Sequence, residues 1–307
     1  LELTGQIIQS TGSWYKVACE DRTYDARLPG KFRLMDRTQT NPVAVGDEVK
    51  IELLDDEAAR ITEILPRRNK IARKATHGKK GEHVIAANID TAIVVVSIAE
   101  PVYRTGFIDR FLATCELFDV LPVITFNKID LLSRDDRESF ESVAFVYRNL
   151  GYTVVTCSIK KTETLEPLKG LLQNHVSLLT GPSGVGKTSI LNTIEKKSAR
   201  PVAPVSEYSG KGKHTTTFAE LIPLHFGGYL IDTPGIREFG LVGVAPDELS
   251  LLFPDIDEYQ EKCRYYNCSH THEPGCAVKE AVSNGVIASF RYKNYIQIYK
   301  SFEDERR

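Results

Sequence analysis

The chain has 307 residues, with 39 Lys and Arg against 41 Asp and Glu and a formal net charge of -2. A balance so near neutral gives no global attraction to nucleic acid or to an acidic membrane surface, so any basic surface must be local. At about 100 to 200 residues per domain the length predicts two or three domains, and a 42% hydrophobic content is enough to give them buried cores.

The opening LELTGQIIQS has no charged-then-apolar signal pattern, and the most apolar run, TAIVVVSIA, is far too short to span a bilayer. A soluble, cytoplasmic chain with no membrane partner is therefore expected, and a monomer. The first residue is Leu1 rather than Met, which reads as a trimmed or tagged amino terminus. Of the six cysteines, Cys19, Cys115 and Cys157 lie in apolar segments, whereas Cys263, Cys268 and Cys276 fall within fourteen residues. Clustering of that kind in a cytosolic chain favours a metal over a disulfide.

Residues 1–66 read as β structure. GQIIQ, SWYKVAC, RTYDARL, DEVKIELL and ARITEIL are short runs separated by turn-formers, and Val49, Ile51 and Leu53 alternate with Lys50 and Glu52. Five strands in so short a span suit a small closed barrel, the OB-fold first among them. The pattern leaves open whether such a barrel binds an oligonucleotide or only packs.

Residues 67–88 read as a basic linker, since RRNKIARKATHGKK holds seven Lys or Arg and no acid. A run like this is commonly just a solvated connection. Its place between a candidate nucleic-acid fold and a candidate nucleotide enzyme favours contact with an RNA backbone.

From residue 89 the period changes. IDTAIVVVSI, LPVITF, YTVVTC and HVSLLT are near-continuous apolar runs, as in strands covered on both faces, and the segments between them have helical spacing. Alternating β and α elements predict a parallel α/β sheet over 89–244 with right-handed crossovers. FAELIPLHFGGYLIDTPG reads as a hairpin turning at Gly227 and Gly228, after which the residues of 245–307 read as a helical, Cys/His-bearing module.

GPSGVGKT fits the phosphate-loop pattern G-x-x-x-x-G-K-[ST] and stands between an apolar strand and a helical segment, as that motif requires. Gly181, Pro182, Ser183, Gly184, Val185 and Gly186 would wrap the phosphates with backbone N–H groups, and the helix beginning near Ser189 would add its positive end. Lys187 would reach the β- and γ-phosphates, and the Thr188 hydroxyl would ligate Mg²⁺. LIDTPG supplies the partner site: Asp232 would hold Mg²⁺ through a water and the Gly235 amide would meet the γ-phosphate. Asn127, Lys128 and Asp130, the NKxD of NKID, follow PVITF. A carboxylate there accepts the N1–H and N2 hydrogens of guanine, for which adenine has no match, while an Asn can read N7 and brace neighbouring loops. TCSIK follows the next strand and could present Ser158 and the Ile159 amide to the guanine carbonyl, although any loop offers amides. The base motif precedes the phosphate loop, the reverse of the ordinary GTPase order. Loops at the carboxyl ends of parallel strands converge whatever their sequence order, so joining the old termini and cutting elsewhere leaves the site intact.

In this order, NKID, TCSIK, GPSGVGKTS, GKHTTT and DTPG, flanked by an OB-like barrel and a Cys/His module, resemble the RsgA/YjeQ family of bacterial circularly permuted GTPases. The resemblance covers essentially the whole chain. It implies a GTP hydrolase that cycles between GTP and GDP and acts late in assembly of the small (30S) ribosomal subunit, in contact with its rRNA and faster on that subunit. It also implies that GKHTTT is the first switch, with Thr216 or its neighbour Thr215 closing on Mg²⁺ and the γ-phosphate. His214 becomes a candidate for positioning the attacking water, a duty that Ile236, standing where many GTPases have a water-orienting Gln, does not perform. Ile159 departs from the family's usual Ala, and its β-branch could tilt the amide and weaken guanine affinity.

The set Cys263-x4-Cys268-x-His-x5-Cys276 offers three thiolates and an imidazole, suited to structural Zn²⁺. Spacing alone leaves His270 and His272 open; the resemblance assigns His270. Tyr292, Tyr295, Tyr299 and Phe302 recur at helical spacing, more in keeping with a packed face than with a base-stacking platform. The reading that competes with a GTPase is an RNA-binding assembly factor in which GTP is only a structural ligand, against which Lys187, Thr188 and Asp232 argue. A metabolic P-loop kinase fits less well, because of NKID and the lack of an arginine-rich lid-like segment.

Overall fold

The computed structural model describes residues 2–12, 14–20, 22–30, 32, 41–55, 57–74, 81–195, 220–232 and 241–304. The first five strands are β1 (Glu2–Ser10), β2 (Trp14–Cys19), β3 (Arg22–Arg27), β4 (Glu48–Leu53) and β5 (Ala58–Ile64). They run in the order β1-β2-β3-β5-β4 and close by pairing β4 back to β1, with β3 and β5 parallel. Alternation decides the faces: Ile7, Val17, Val49, Ile51 and Ile61 are buried inside the barrel. Gly5 is required where β1 crosses β2, because a Cβ there would lie 2.3 Å from the Cys19 sulfur.

Of the stretch that reads as a solvated linker, residues 67–74 and 81–88 are described, and both parts are folded. β6 (Lys70–Lys74) and β7 (Glu82–Ala87) form an antiparallel ribbon. Its base is pinned to the barrel, with Ala87 N donating to Val45 O at 2.9 Å and Asn88 Nδ2 to Gly46 O at 2.9 Å. The basic residues at its start are neutralised from within the chain: Arg67 grips the buried Asp47 through Nε (2.7 Å) and a terminal nitrogen (2.8 Å), Arg68 pairs with Asp90 (2.7 Å), and Lys70 with Glu82.

The barrel strands continue into one eleven-stranded sheet with β8 (Thr91–Ser97), β9 (Leu121–Asn127), β10 (Thr153–Thr156), β11 (Val176–Thr180), β12 (Glu220–Pro223) and β13 (Tyr229–Asp232). The added strands run in the order β10-β9-β8-β11-β13-β12, all parallel except β12, which forms a hairpin with β13 and touches β1 through Gln9 and Glu220. Every residue of β8 is buried, as its unbroken apolar run predicts for a central strand. The helices on this sheet are α1 (Thr105–Leu117), α2 (Arg134–Asn149), α3 (Glu166–Leu172) and α4 (Lys187–Ile194). Ser133 caps α2, its hydroxyl accepting from Asp136 N at 3.0 Å, so the helix begins where the base loop ends.

Beyond residue 241 the described chain is helical: a 3₁₀ turn (Pro246–Leu252), α5 (Pro254–Gln260), α6 (Ala277–Ser283) and α7 (Ser289–Asp304). Leu249, Phe253, Ile256, Val278 and Tyr295 build its core, which Ala113 of α1 joins. The aromatic spacing along α7 marks a packed face, with Tyr295 buried and Tyr292, Tyr299 and Phe302 partly so. Among the described residues, no helix is long and apolar enough to cross a membrane.

Candidate functional site: a nucleotide edge and a metal cluster

Strands β8, β9 and β11 are parallel and in register, Ser97 beside Asn127 and Val94 beside Thr180, so the loops after them open on one edge of the sheet. Gly181 begins the phosphate loop at φ +143°, where a Cβ would lie 2.0 Å from Val95 O; only glycine lets the loop leave the sheet this close to β8. Gly186 has φ +94°, and its face is packed against the Asn127 side chain. Asn127, 2% exposed, donates from Nδ2 to Val185 O at 2.8 Å. The first residue of the base motif is thus a brace between base loop and phosphate loop, with one of its two amide hydrogens engaged.

Lys187 folds back over its own loop, donating from Nζ to Gly181 O and Pro182 O, each at 2.7 Å. Burial pushes its pKa below the usual lysine range, so an anion there would meet a partly desolvated cation. Thr188 is half-buried on the first turn of α4, while Ser183, Gly184 and Ser189 are exposed on the rim. Lys128 sits in the left-handed region (φ 61°) and reaches Glu100 O with Nζ. The Asp130 carboxylate is occupied at both oxygens: Ser158 Oγ donates at 2.5 Å and Lys160 Nζ pairs at 2.8 Å. The Lys160 bond first, and the Ser158 hydroxyl second, hold Asp130 below the usual carboxylate range. Ile159, 41% exposed, stands beside it. No motif marks Lys160, though its place two residues after Ser158 is a usable signal.

Asp232 ends β13 beside β11, which brings the carboxyl end of its strand to the same edge. His214, Thr215, Thr216, Gly235 and Ile236 lie outside the described residues.

The second cluster is Cys263, Cys268, His270 and Cys276, whose donor atoms all lie within 4.8 Å of one another. His270 Nδ1 is 3.6 Å from Cys263 Sγ and 3.5 Å from Cys276 Sγ, and the two sulfurs are 3.9 Å apart. A tetrahedral ion with metal–sulfur bonds of about 2.3 Å spaces its sulfurs about 3.8 Å apart, so the donor set fits a metal ion. His272 is exposed, and its Nδ1 instead meets Thr271 Oγ1 at 2.8 Å. The loop carrying His270 is held by Glu273, which accepts from Ser269 N (2.8 Å), Ser269 Oγ (2.5 Å) and Thr271 N (3.1 Å). Burial works against the charge of Glu273, but these hydrogen bonds win and hold its pKa at about 2. From α7, Tyr292 OH donates to His270 O (2.7 Å) and Tyr295 OH to Ser269 O (3.0 Å).

Comparison with known proteins agrees with this geometry. Residues 4–61 match the family model of the RsgA N-terminal domain and residues 64–242 that of the RsgA GTPase. A small ribosomal subunit biogenesis GTPase RsgA of Christiangramia forsetii is 39% identical, over 99% of this chain and 98% of that protein. Its counterpart in Cytophaga hutchinsonii is 44% identical over 96% and 97%. Among solved structures, YjeQ from Thermotoga maritima superposes with a TM-score of 0.79 at 32% identity, covering 98% of each chain. YloQ, described as a circularly permuted GTPase, gives 0.77 at 29% identity over 99% of this chain and 96% of that one. A base motif that comes before the phosphate loop in sequence yet braces it in space is the arrangement such a permutation leaves, and with both family models matched the chain belongs to the RsgA GTPase family.

Proposed function

We propose that this chain hydrolyses GTP as a late assembly factor of the small (30S) ribosomal subunit, its nucleotide state setting when it binds and leaves. The observation that carries the nucleotide reading is the bond from Asn127 Nδ2 to Val185 O, which makes the base loop and the phosphate loop one unit. The relatives' names carry the ribosomal part.

In this proposal Asp130 accepts from the guanine N1–H and N2 hydrogens, while Ser158 and the Ile159 amide face the guanine carbonyl. Lys128 lines the base loop. The amides of Gly181 to Ser189 wrap the phosphates, and Lys187 exchanges the carbonyls of Gly181 and Pro182 for phosphate oxygens. That exchange favours an anionic ligand because the ammonium is already partly desolvated. Thr188, Asp232 and Thr216 would hold Mg²⁺, which when bound neutralises charge on the transferring phosphate. Gly235 would meet the γ-phosphate, and His214 would position the attacking water. For the Cys/His cluster we propose Zn²⁺: four protein ligands leave no open position, so its role is structural. We also propose the domain bounds 1–66, 67–88, 89–244 and 245–307. Strands β6 and β7 pair within that connection, and with Arg67, Arg68 and Lys70 paired internally a role in holding RNA would fall to the remaining basic residues.

The test is hydrolysis of GTP and ATP with and without purified small subunits. GTP is expected to be preferred and its turnover to rise with subunits. Lys187→Ala is expected to abolish turnover, and His214→Ala to spare nucleotide affinity while losing the stimulated part. Turnover that ignores the subunit, or equal use of ATP, overturns the reading.

A further inference from the structure

The helical C-terminal module is joined to the nucleotide domain through a buried charge cluster that the proposed chemistry does not use. Arg291, on α7 and 1% exposed, sends one nitrogen to Asp109 Oδ1 on α1 at 2.6 Å. It also grips Asp255 of α5 through Nε at 3.1 Å and its other terminal nitrogen at 2.7 Å. Asp109 is fully buried and saturated: Tyr147 OH donates to Oδ1 at 2.8 Å, and Asn294 Nδ2 to Oδ2 at 2.6 Å. The Asn294 amide also meets Thr105 Oγ1 at 3.0 Å, on the first turn of α1. A buried ion cluster of this kind is weak evidence for stability, since apolar residues of the same volume would serve as well. What it does provide is one defined placement of α1 against α7.

The segment just before α1 explains why that placement matters. The segment Ile98–Arg104, which leads into α1, lies across both nucleotide loops. Ile98 N donates to Asn127 O at 3.1 Å, Lys128 Nζ bonds Glu100 O, and a Cβ on Gly184 would sit 3.7 Å from Pro101 Cδ. Tyr103 packs edge-on against Phe126, the residue before Asn127, with ring centroids 5.1 Å apart. Where α1 stands therefore sets where Glu100 and Pro101 stand, and through them Lys128 and the rim of the phosphate loop.

We propose that Arg291 is a positioning residue for the guanine nucleotide: it fixes α1 through Asp109, and α1 in turn holds the loop that supports Lys128 and Gly184. The inference rests on the guanine-nucleotide reading of this edge. Because Lys128 belongs to the base loop, which GTP and GDP share, loosening the clamp weakens both nucleotides by the same factor. By reciprocity, a nucleotide that favours the clamped placement tightens α7 in return.

The experiment uses the full metal-loaded chain. GDP and GTP affinities, KM and kcat are measured for wild type, Arg291→Met, Arg291→Lys and Asn294→Ala, with hydrogen exchange of the amides of residues 289–304 with and without GDP. Arg291→Met leaves two buried carboxylates without a cation, so Asn294→Ala supplies a milder break in which the Arg291 pairs remain. For Arg291→Met the affinity for both nucleotides is expected to fall about 5- to 20-fold, with KM rising more than kcat falls. Arg291→Lys, which keeps the charge, is expected to recover part of that loss, and Asn294→Ala to show a smaller one in the same direction. In wild type, GDP is expected to slow exchange in α7, an effect lost in the variants. Folded, metal-loaded variants with wild-type affinities, or wild-type α7 exchange that ignores GDP, overturn the proposal. Wild-type protein that binds neither nucleotide would instead remove the site reading beneath it.

Discussion

The nucleotide edge and the metal-bearing module hold their polar groups in opposite ways. At the edge, partners are exchangeable: Lys187 rests on carbonyls five and six residues before it, and Asp130 on an exposed lysine and a serine hydroxyl. In the module, partners are buried and permanent, whether near in sequence or far. His270 is fully buried among three sulfurs, Glu273 is saturated by its loop, and Arg291 reaches 182 residues back to Asp109. Half-solvated groups with substitute partners can trade them for a ligand at small cost, whereas a fully buried set cannot be opened without leaving charges or donors unpaired. One region is built for exchange, and the other to stay as it is.

Breaking the permanent side gives the largest effect. Cys276→Ser, or removal of the metal by a chelator, takes away a cluster whose binding free energy is also folding free energy, on the order of 10 kcal/mol for a structural site. The module 245–307 is expected to lose its fixed structure, seen as loss of exchange protection in α6 and α7. Nucleotide binding is expected to weaken without disappearing, because Gly181–Thr188 and Asn127–Asp130 stand on the parallel sheet. A variant that keeps full α7 protection with no metal bound would show that packing alone holds the module.

What could be read in the sequence follows a different division, short spacing against long-range pairing. NKID and GPSGVGKT were legible because phosphate and guanine chemistry require certain residue types at short spacing, and TAIVVVS because a strand covered on both faces must be apolar throughout. The Cys/His set was legible for the same local reason, though only the structure turns His270 inward and leaves His272 exposed. Long-range pairing was not legible. RRNKIARK looked solvated because the acids that neutralise its first residues, Asp47, Glu82 and Asp90, lie outside the run. No motif marks Arg291, and arginines are usually at the surface. A signal was nonetheless present: Arg291, Tyr295, Ile298 and Phe302 follow one another at helical spacing, so Arg291 shares the packed face of α7.

At the exchangeable edge, the brace between the two loops is the point of greatest leverage. Gly186→Ala would place a Cβ 2.4 Å from Asn127 Nδ2 at a residue whose φ of +94° already excludes side chains at low cost. Backbone strain and a displaced buried donor together predict a loss of about 2 to 4 kcal/mol in nucleotide affinity. Asn127→Ala removes the donor without the strain and is expected to cost about 1 to 3 kcal/mol. Titration of a fluorescent GDP analogue measures both, and an ordering with Asn127→Ala the more damaging would show that the Asn127 side chain does more than brace.

The smallest expected effect sharpens the comparison most, because it asks whether a substitute partner matters at all. Lys160 is exposed and its pair with Asp130 is of a kind that adds little net stability, so Lys160→Met is expected to leave the unfolding midpoint at neutral pH unchanged. Its influence should show in acid instead. Guanine N1–H and N2–H need an ionised acceptor, and Lys160 together with the Ser158 hydroxyl lowers the Asp130 pKa from its ordinary 3.8. For a carboxylate with a depressed pKa the charged form persists as pH falls and is lost only on passing through the lowered value. GDP affinity in wild type should therefore hold to lower pH than in Lys160→Met, where the acid limb moves up toward the ordinary carboxylate range. The measurement is the GDP dissociation constant against pH for both proteins over the range where each remains folded. Superimposable acid limbs would mean that Ser158 alone holds Asp130 ionised, and that the lysine at this edge is a bystander.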